Sequence, residues 1–148
     1  MSVHELFHLG RRLLVIFDGR CGLCNRSARW FLRRDARDRM RFVASESPLV
    51  AALLARNEMG ADRFGPSSIV VVRNAERPSE RVLVRSDAVL AMLRELPGVW
   101  PVAGRVLGWI PRPVRDLGYR VVARFRYRIF GRLESCPIPT AEERVRFL

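Results

Sequence analysis

Apolar positions along the chain repeat with two periods, and the switches between them divide it into elements. Leu13 to Phe17 is an uninterrupted apolar run of strand length, as expected of a strand covered on both faces. After a break at Asp18-Gly19, the spacing of Ala28, Phe31 and Leu32 marks one face of a helix reaching Arg34, with Arg26, Arg29 and Arg33 largely off it. Met40, Phe42 and Ala44 then alternate with Arg41 and Ser45 as in a second short strand. Ser47-Pro48 supplies the hydroxyl and the proline of a helix start, and Leu49, Leu53 and Leu54 carry that helix toward Asn57. Ser68 to Arg73 is dominated by β-branched residues and gives the strongest strand signal. Asn74 to Glu80 is turn chemistry, and Arg81 to Arg85 returns as the second arm of a hairpin. Ser86 is placed to cap a helix bearing Val89, Leu90, Leu93 and Leu96, which Pro97-Gly98 ends.

Through Gly98 the order is therefore strand, helix, strand, helix, strand, strand, helix. A right-handed crossover makes the first two strands parallel, and the hairpin makes the last two antiparallel. This order resembles a thioredoxin-like domain, an α/β fold with a mixed four-stranded sheet flanked by helices. Residues from about 12 to 98 are expected to form that core. Residues 99–148 are expected to form a helical extension packed on it, with one helix over Val102 to Gly108 and a longer one from Val114 toward Gly131. No repeat, low-complexity run or linker interrupts the chain, so residues 1–148 are predicted to be one domain.

Charge changes this picture more than composition does. The 148 residues carry a formal net charge of +12, and every cation is arginine, since the sequence contains no lysine. The missing lysine fits a bias toward GC-rich codons, which leaves the excess of basic over acidic residues unexplained. A strongly positive surface attracts nucleic acid, anionic headgroups or acidic proteins. Three cysteines are too few for a disulfide scaffold, and their odd number leaves one without an intramolecular partner. No stretch approaches the ~20 apolar residues that span a bilayer. Arg11-Arg12 precede only a short apolar run before Asp18, a poor signal peptide. The expected location is the cytoplasm, where exposed thiols are kept mostly reduced, and no cofactor is expected.

The chemistry concentrates in Asp18-Gly19-Arg20-Cys21-Gly22-Leu23-Cys24, between the first strand and the first helix. Thiolates, not thiols, attack disulfides, so a site must lower a cysteine pKa near ~8.5. Cys21 lies at or just before a helix N-terminus, where unsatisfied N–H groups and the macrodipole favour an anion, and Arg20 and Arg26 add positive charge. Cys24, about one turn on, is expected to lie deeper. Cys21 is thus predicted to be the nucleophile and Cys24 the resolving thiol. Asp18 has two readings: a proton acceptor for Cys24 during resolution, or an anchor of the Asp-Gly turn. The competing reading of the Cys pair is half of a zinc site, for which Cys136, His4 and His8 are the only other Cys or His candidates. Pro66 stands close to where thioredoxin-like folds place a cis-proline that binds substrate backbone, against the reading of an ordinary trans-proline in a loop.

Phe17 to Cys24 resembles the signature of the DCC family of thiol-disulfide oxidoreductases, named for its Asp and two Cys. Ser86-Asp87-Ala88, Pro111-Arg112-Pro113-Val114-Arg115-Asp116 with Tyr119, Arg126 to Arg132, and Cys136-Pro137-Ile138-Pro139 are similar to the same family, so the likeness spans nearly the whole chain. The resemblance implies a thioredoxin-like core with Asp18, Cys21 and Cys24 at its motif positions, and a protein or small-molecule thiol or disulfide as substrate. It supplies no particular substrate.

The basic C-terminal third carries Arg120, Arg124 and Arg128 every four residues, beside an apolar stripe of Val122, Phe125 and Ile129. The leading expectation is that the stripe packs on the domain and the arginines are solvated. The alternatives are peripheral contact with an anionic membrane or an acidic partner. Nucleic acid ranks last, because no recognised motif accompanies the charge. Cys136 is either an inert tail thiol or a third redox partner. The sequence thus predicts a dithiol oxidoreductase, with a sensory or partner-binding module as the competing class.

Overall fold

The computed structural model of the chain describes residues 12–56, 69–74, 78–133 and 139–147. Strand β1 (Leu13–Phe17) leads into helix α1 (Gly22–Arg34), strand β2 (Met40–Ala44) and helix α2 (Pro48–Arg56). The hairpin strands β3 (Val70–Arg73) and β4 (Arg81–Val84) are followed by helices α3 (Arg85–Glu95), α4 (Trp100–Gly108) and α5 (Arg112–Phe130). The four strands form one sheet in the order β2-β1-β3-β4. β1 is parallel to β2, with Leu13 opposite Met40, and antiparallel to β3, with Leu13 opposite Arg73. This is the mixed sheet with flanking helices of a thioredoxin-like α/β fold.

The unbroken apolar run of β1 follows from period-two geometry in a strand covered twice. Leu13, Val15 and Phe17 point into one layer with Phe31 of α1 and Met92 of α3, while Leu14 and Ile16 point into the other with Val50 and Leu53 of α2. Fully burying an aromatic or aliphatic side chain of this kind is worth roughly 1.5–3 kcal/mol. β2 departs from the expected alternation. Arg41 is buried rather than solvent-facing, because its guanidinium folds back onto the Asp38 carboxylate. Asp35, itself buried, accepts from the N–H groups of Arg39 and Met40 and so fixes the connection between α1 and β2.

Two expectations fail in the second half. Ser86 does not cap α3: the helix starts at Arg85 with no side-chain cap, Arg85 itself in the left-handed region at φ 53°, and the Ser86 hydroxyl donates to Asp116 of α5. The stripe of Val122, Phe125 and Ile129 does not pack on the domain. Those residues are 55%, 40% and 71% exposed, while Arg126, one turn beyond Val122 on α5, is 2% exposed. The helix is rotated so that its one buried cation faces inward, for a reason found in the site. Arg34 of α1 covers the Trp30 ring at 4.0 Å, and Trp30 meets Trp100 of α4 edge-on at 4.8 Å. The chain end returns to β2, where Phe42 donates its N–H to the Arg146 carbonyl at 2.8 Å and Phe147 packs on Phe17 and Phe42. No helix among the described residues is long and apolar enough to cross a membrane.

Candidate functional site

The turn from β1 to α1 is tied together by its own polar groups. Asp18 Oδ1 accepts the N–H of Arg20 at 3.0 Å, an Asx geometry that folds the Asp-Gly turn. Asn25, buried in the first turn and a half of α1, donates its amide to the carbonyls of Gly19 at 2.7 Å and Cys21 at 3.1 Å. Cys21 is the N-cap of α1: its backbone is extended and its Sγ accepts the N–H of Cys24 at 3.3 Å. Sulfur therefore occupies the position where a helix offers its unsatisfied donors, and where negative charge is stabilised.

The chain beyond α5 closes over this turn. Cys21 forms an isolated antiparallel bridge with Arg132, Leu133 donates its N–H to the Arg20 carbonyl at 2.7 Å, and Gly22 donates to the Gly131 carbonyl at 3.4 Å. A Cβ on Gly22 would lie 2.5 Å from the carbonyl oxygen of Phe130, so the residue after the first cysteine has to be glycine. The outcome reverses the expected depth of the two thiols. Cys21 is fully buried and Cys24 only partly so, because the returning segment covers the first turn of α1 from the side that spacing alone leaves open.

Asp18 is drawn into a buried cluster that holds α5. Its Oδ2 accepts from Arg126 Nη2 at 3.3 Å and from the Tyr127 hydroxyl, and Arg126 Nη2 also donates to the Tyr127 oxygen at 3.1 Å. Burial raises the Tyr127 pKa, and its bond to the Asp18 carboxylate adds to that. Burial also pushes the Cys24 thiol up to about 12, reinforced by its hydrogen bond to Cys21 and by the Cys21 charge; Arg126 opposes the shift and Asp18 adds to it slightly. Cys24 is thus the accessible sulfur and holds its proton, whereas Cys21 is the sealed sulfur and receives an amide N–H.

Cys24 opens onto a cavity of about 530 Å³ between α1, α3, α4 and α5. Its wall is mostly apolar, with Phe31, Val89, Leu90, Ile110, Val122 and Ala123 among its residues. Tyr119 stands at the edge toward β3, its oxygen accepting the N–H of Ile69 at 2.8 Å, and burial raises its pKa. The N-terminal end of α5 is fastened to α3 by Arg112 and Arg115, which meet Asp87 at 3.1 Å each, and by Asp116, whose carboxylate takes the Ser86 hydroxyl and stays ionised below the usual range because of it.

The structure therefore brings Asp18, Cys21 and Cys24 together. Arg120, Arg124 and Arg128 lie exposed on α5. Pro66, Cys136, His4 and His8 lie outside the described residues, and no group of three or more His, Cys, Asp or Glu able to hold a metal occurs among the described ones. Sequence reasoning gave no role to Asn25, and it gave none to Tyr119 or Arg126 beyond their place in the family likeness; the bond of Tyr119 to Ile69 and the buried ion pair of Arg126 with Asp18 come from the fold. A signal for Asn25 was present, since an Asn early in a helix interior is unfavourable unless its side chain bonds to nearby backbone.

A family model described as DCC1-like thiol-disulfide oxidoreductase matches residues 15–132. An uncharacterized protein of Bacillus subtilis, YuxK, is 30% identical over 135 residues, covering 91% of this chain and 93% of that protein. A chloroplastic DCC family protein of Arabidopsis thaliana, At1g52590, is 33% identical over 134 residues, covering 90% of this chain and 74% of that one. No solved structure matches significantly.

Proposed function

Because this chain belongs to the DCC1-like thiol-disulfide oxidoreductase family, we propose that it exchanges dithiol and disulfide through Cys21 and Cys24. The observation that carries this reading is the N-cap position of Cys21, whose Sγ accepts the Cys24 N–H at 3.3 Å. That donor and the helix dipole stabilise a thiolate, so Cys21 is the nucleophilic sulfur of the couple. Cys24 is its partner, and burial keeps its thiol protonated. With Cys21 buried and Cys24 the more exposed of the two, depth does not support Cys24 as a thiol waiting behind Cys21 to resolve a mixed disulfide. Asp18 is a positioning residue: both of its oxygens are engaged, one by the turn and one by Arg126 and Tyr127, which supports the anchor over the proton acceptor. A reducing, cytoplasmic setting suits a thiol pair that rests in the dithiol state.

The test is a redox titration of the purified chain in glutathione buffers, followed by intact mass and by exchange with a disulfide-bonded peptide. The wild type should interconvert between dithiol and intramolecular disulfide and catalyse exchange, and Cys21→Ser or Cys24→Ser should each abolish both. Catalysis that survives either substitution would refute the reading.

The C-terminal helices favour a second activity of the same molecule, peripheral contact with an anionic lipid surface. Trp109 is 82% and Ile129 71% exposed, and Arg120, Arg124 and Arg128 are exposed on α5, so these helices show solvent the apolar and cationic residue types of an interfacial segment. Flotation with anionic but not neutral vesicles, lost at high salt, is the expected result. Equal behaviour with both vesicle types would count against it.

A further inference from the structure

The cavity at Cys24 has a size, a wall chemistry and a reactive atom, and together these specify an occupant. About 530 Å³ falls within the usual range for a small-molecule site, roughly 300–1,000 Å³. The wall is apolar, and burying a charged group there without a partner would be costly. The two guanidinium groups at its edge are already matched by carboxylates, Arg126 by Asp18 at 3.3 Å and Arg115 by Asp87 at 3.1 Å. Neither offers an uncommitted counter-charge to an anionic ligand. Among the described residues, the cysteine on the wall is Cys24, since Cys21 is sealed beneath the segment from Gly131 to Leu133.

An independent observation comes from α5. Gly118 lies in the interior of that helix, where glycine is the least favourable residue apart from proline. A Cβ there would meet nothing within 4 Å, so no packing contact demands the missing side chain. Val114, Gly118 and Val122 recur at the four-residue spacing of one helix face, and all three line the cavity. The bare backbone at Gly118 therefore leaves room in the wall facing Cys24.

We propose that low-molecular-weight apolar thiols, and the disulfides they form, bind in this cavity and exchange on the Sγ of Cys24, with Cys21 as the inner sulfur. The inference rests on the thiol-exchange reading and deepens it. In the oxidised protein a ligand thiolate attacks Cys24 Sγ; a ligand-to-Cys24 disulfide forms, the Cys21–Cys24 bond breaks, and the electron pair leaves on Cys21, where the Cys24 N–H receives it. A lower leaving-group pKa speeds this step. A second ligand thiolate then attacks the ligand sulfur of the mixed disulfide, releasing the ligand disulfide and leaving Cys24 to take up a proton. The net reaction converts two ligand thiols and the protein disulfide into one ligand disulfide and the protein dithiol. It runs in reverse without any other oxidant or reductant: Cys24, after losing its proton, attacks the ligand disulfide and expels one ligand thiolate, and the Cys21 thiolate then attacks Cys24 Sγ and expels the second.

The experiment compares 1-hexanethiol with 2-mercaptoethanesulfonate, the more acidic of the two, in reducing the oxidised full-length chain, each rate being expressed per thiolate present, with acid quenching and peptide mapping of the mixed disulfide. Hexanethiol should react faster by about tenfold or more, as burial of two methylenes implies, and its hexyl group should map to Cys24. Gly118→Leu should slow hexanethiol by a similar factor and slow it more than the sulfonate, with an unfolding midpoint no lower than the wild type because leucine favours the helix. A hexyl group on Cys21, equal rates for the two thiols, or a hexanethiol rate indifferent to Gly118→Leu would each overturn the site. Failure of both thiols to reduce the protein would overturn the exchange reading itself, and the site with it.

Discussion

Cys21 and Cys24 stand in one turn of one helix, yet their surroundings share almost nothing. Around Cys21 stand polar backbone and hydrogen-bonded side chains: the Asp18 turn, the Asn25 amide, the Arg132 bridge and the Gly22 contact with Phe130. Around Cys24 the neighbours are aliphatic and aromatic side chains with open volume between them. The first environment is closed off from solvent, while the second is open to a ligand and penalises charge. A dithiol site can therefore divide its labour, with one sulfur selected for its leaving ability and the other for access.

The sharpest way to break that contrast is to remove the cation that holds α5 against the turn. Arg126→Leu leaves the Asp18 carboxylate buried without its guanidinium, and loss of one member of a buried pair costs about 3 to 5 kcal/mol. Urea unfolding should show that loss, and Asp18→Leu combined with Arg126→Leu should recover part of it. A milder blow is Gly22→Ala. Its methyl group would meet the Phe130 carbonyl at 2.5 Å and push the covering segment away, at a cost of about 1 to 3 kcal/mol. Iodoacetamide should then alkylate Cys21 faster than in the wild type; an unchanged rate would mean that the segment is not what shields it.

The pH response sharpens the other side. The folded chain holds the Cys24 proton more tightly than the unfolded chain, with a pKa raised from 9.0 to about 12, so stability is complete below pH 9 and falls as pH rises toward 12. Tyr119 and Tyr127 are also raised and add to this slope above their ordinary values, so the Cys24 share is the difference between wild type and Cys24→Ser. Alkylation of Cys24 in Cys21→Ala should be slow at neutral pH despite its access, rising about tenfold per pH unit through this range. That substitution also removes two of the causes of the shift, so a lower apparent pKa in the variant than in the wild type is expected. Smallest is Gly118→Ala, which should stabilise the chain by up to about 1 kcal/mol through helix propensity alone. Loss of stability would mean that the wall at Gly118 is filled.

The features legible in the sequence are those set by neighbours along the chain. β1 and β3 announce themselves by apolar and β-branched runs, and the Cys-x-x-Cys turn by its place between a strand and a helix. The order of elements then implies the mixed sheet that the strands form. What escaped depends on contacts between distant parts of the chain. Nothing near Cys21 reports that Gly131 to Leu133 will cover it, and four-residue periodicity sets Arg126 off the row of Arg120, Arg124 and Arg128 without naming the Asp18 carboxylate that it meets. Ser86 has every local mark of a cap, but an aspartate on α5 takes its hydroxyl. The exposed stripe on α5 is the counterpart of Arg126: a helix rotated to satisfy one buried carboxylate turns its apolar residues outward.

The cover over Cys21 is also a matter of timing. Synthesis proceeds at roughly 5–20 residues per second, so Cys21 leaves the ribosome on the order of ten seconds before Gly131 exists to close over it. During that interval the strand and helix that frame the thiol are complete while its shield is not, and both sulfurs face the solution. The nascent chain is thus more open to oxidants and to foreign thiols than the finished molecule, and its reactivity narrows to one sulfur only when the last helix docks.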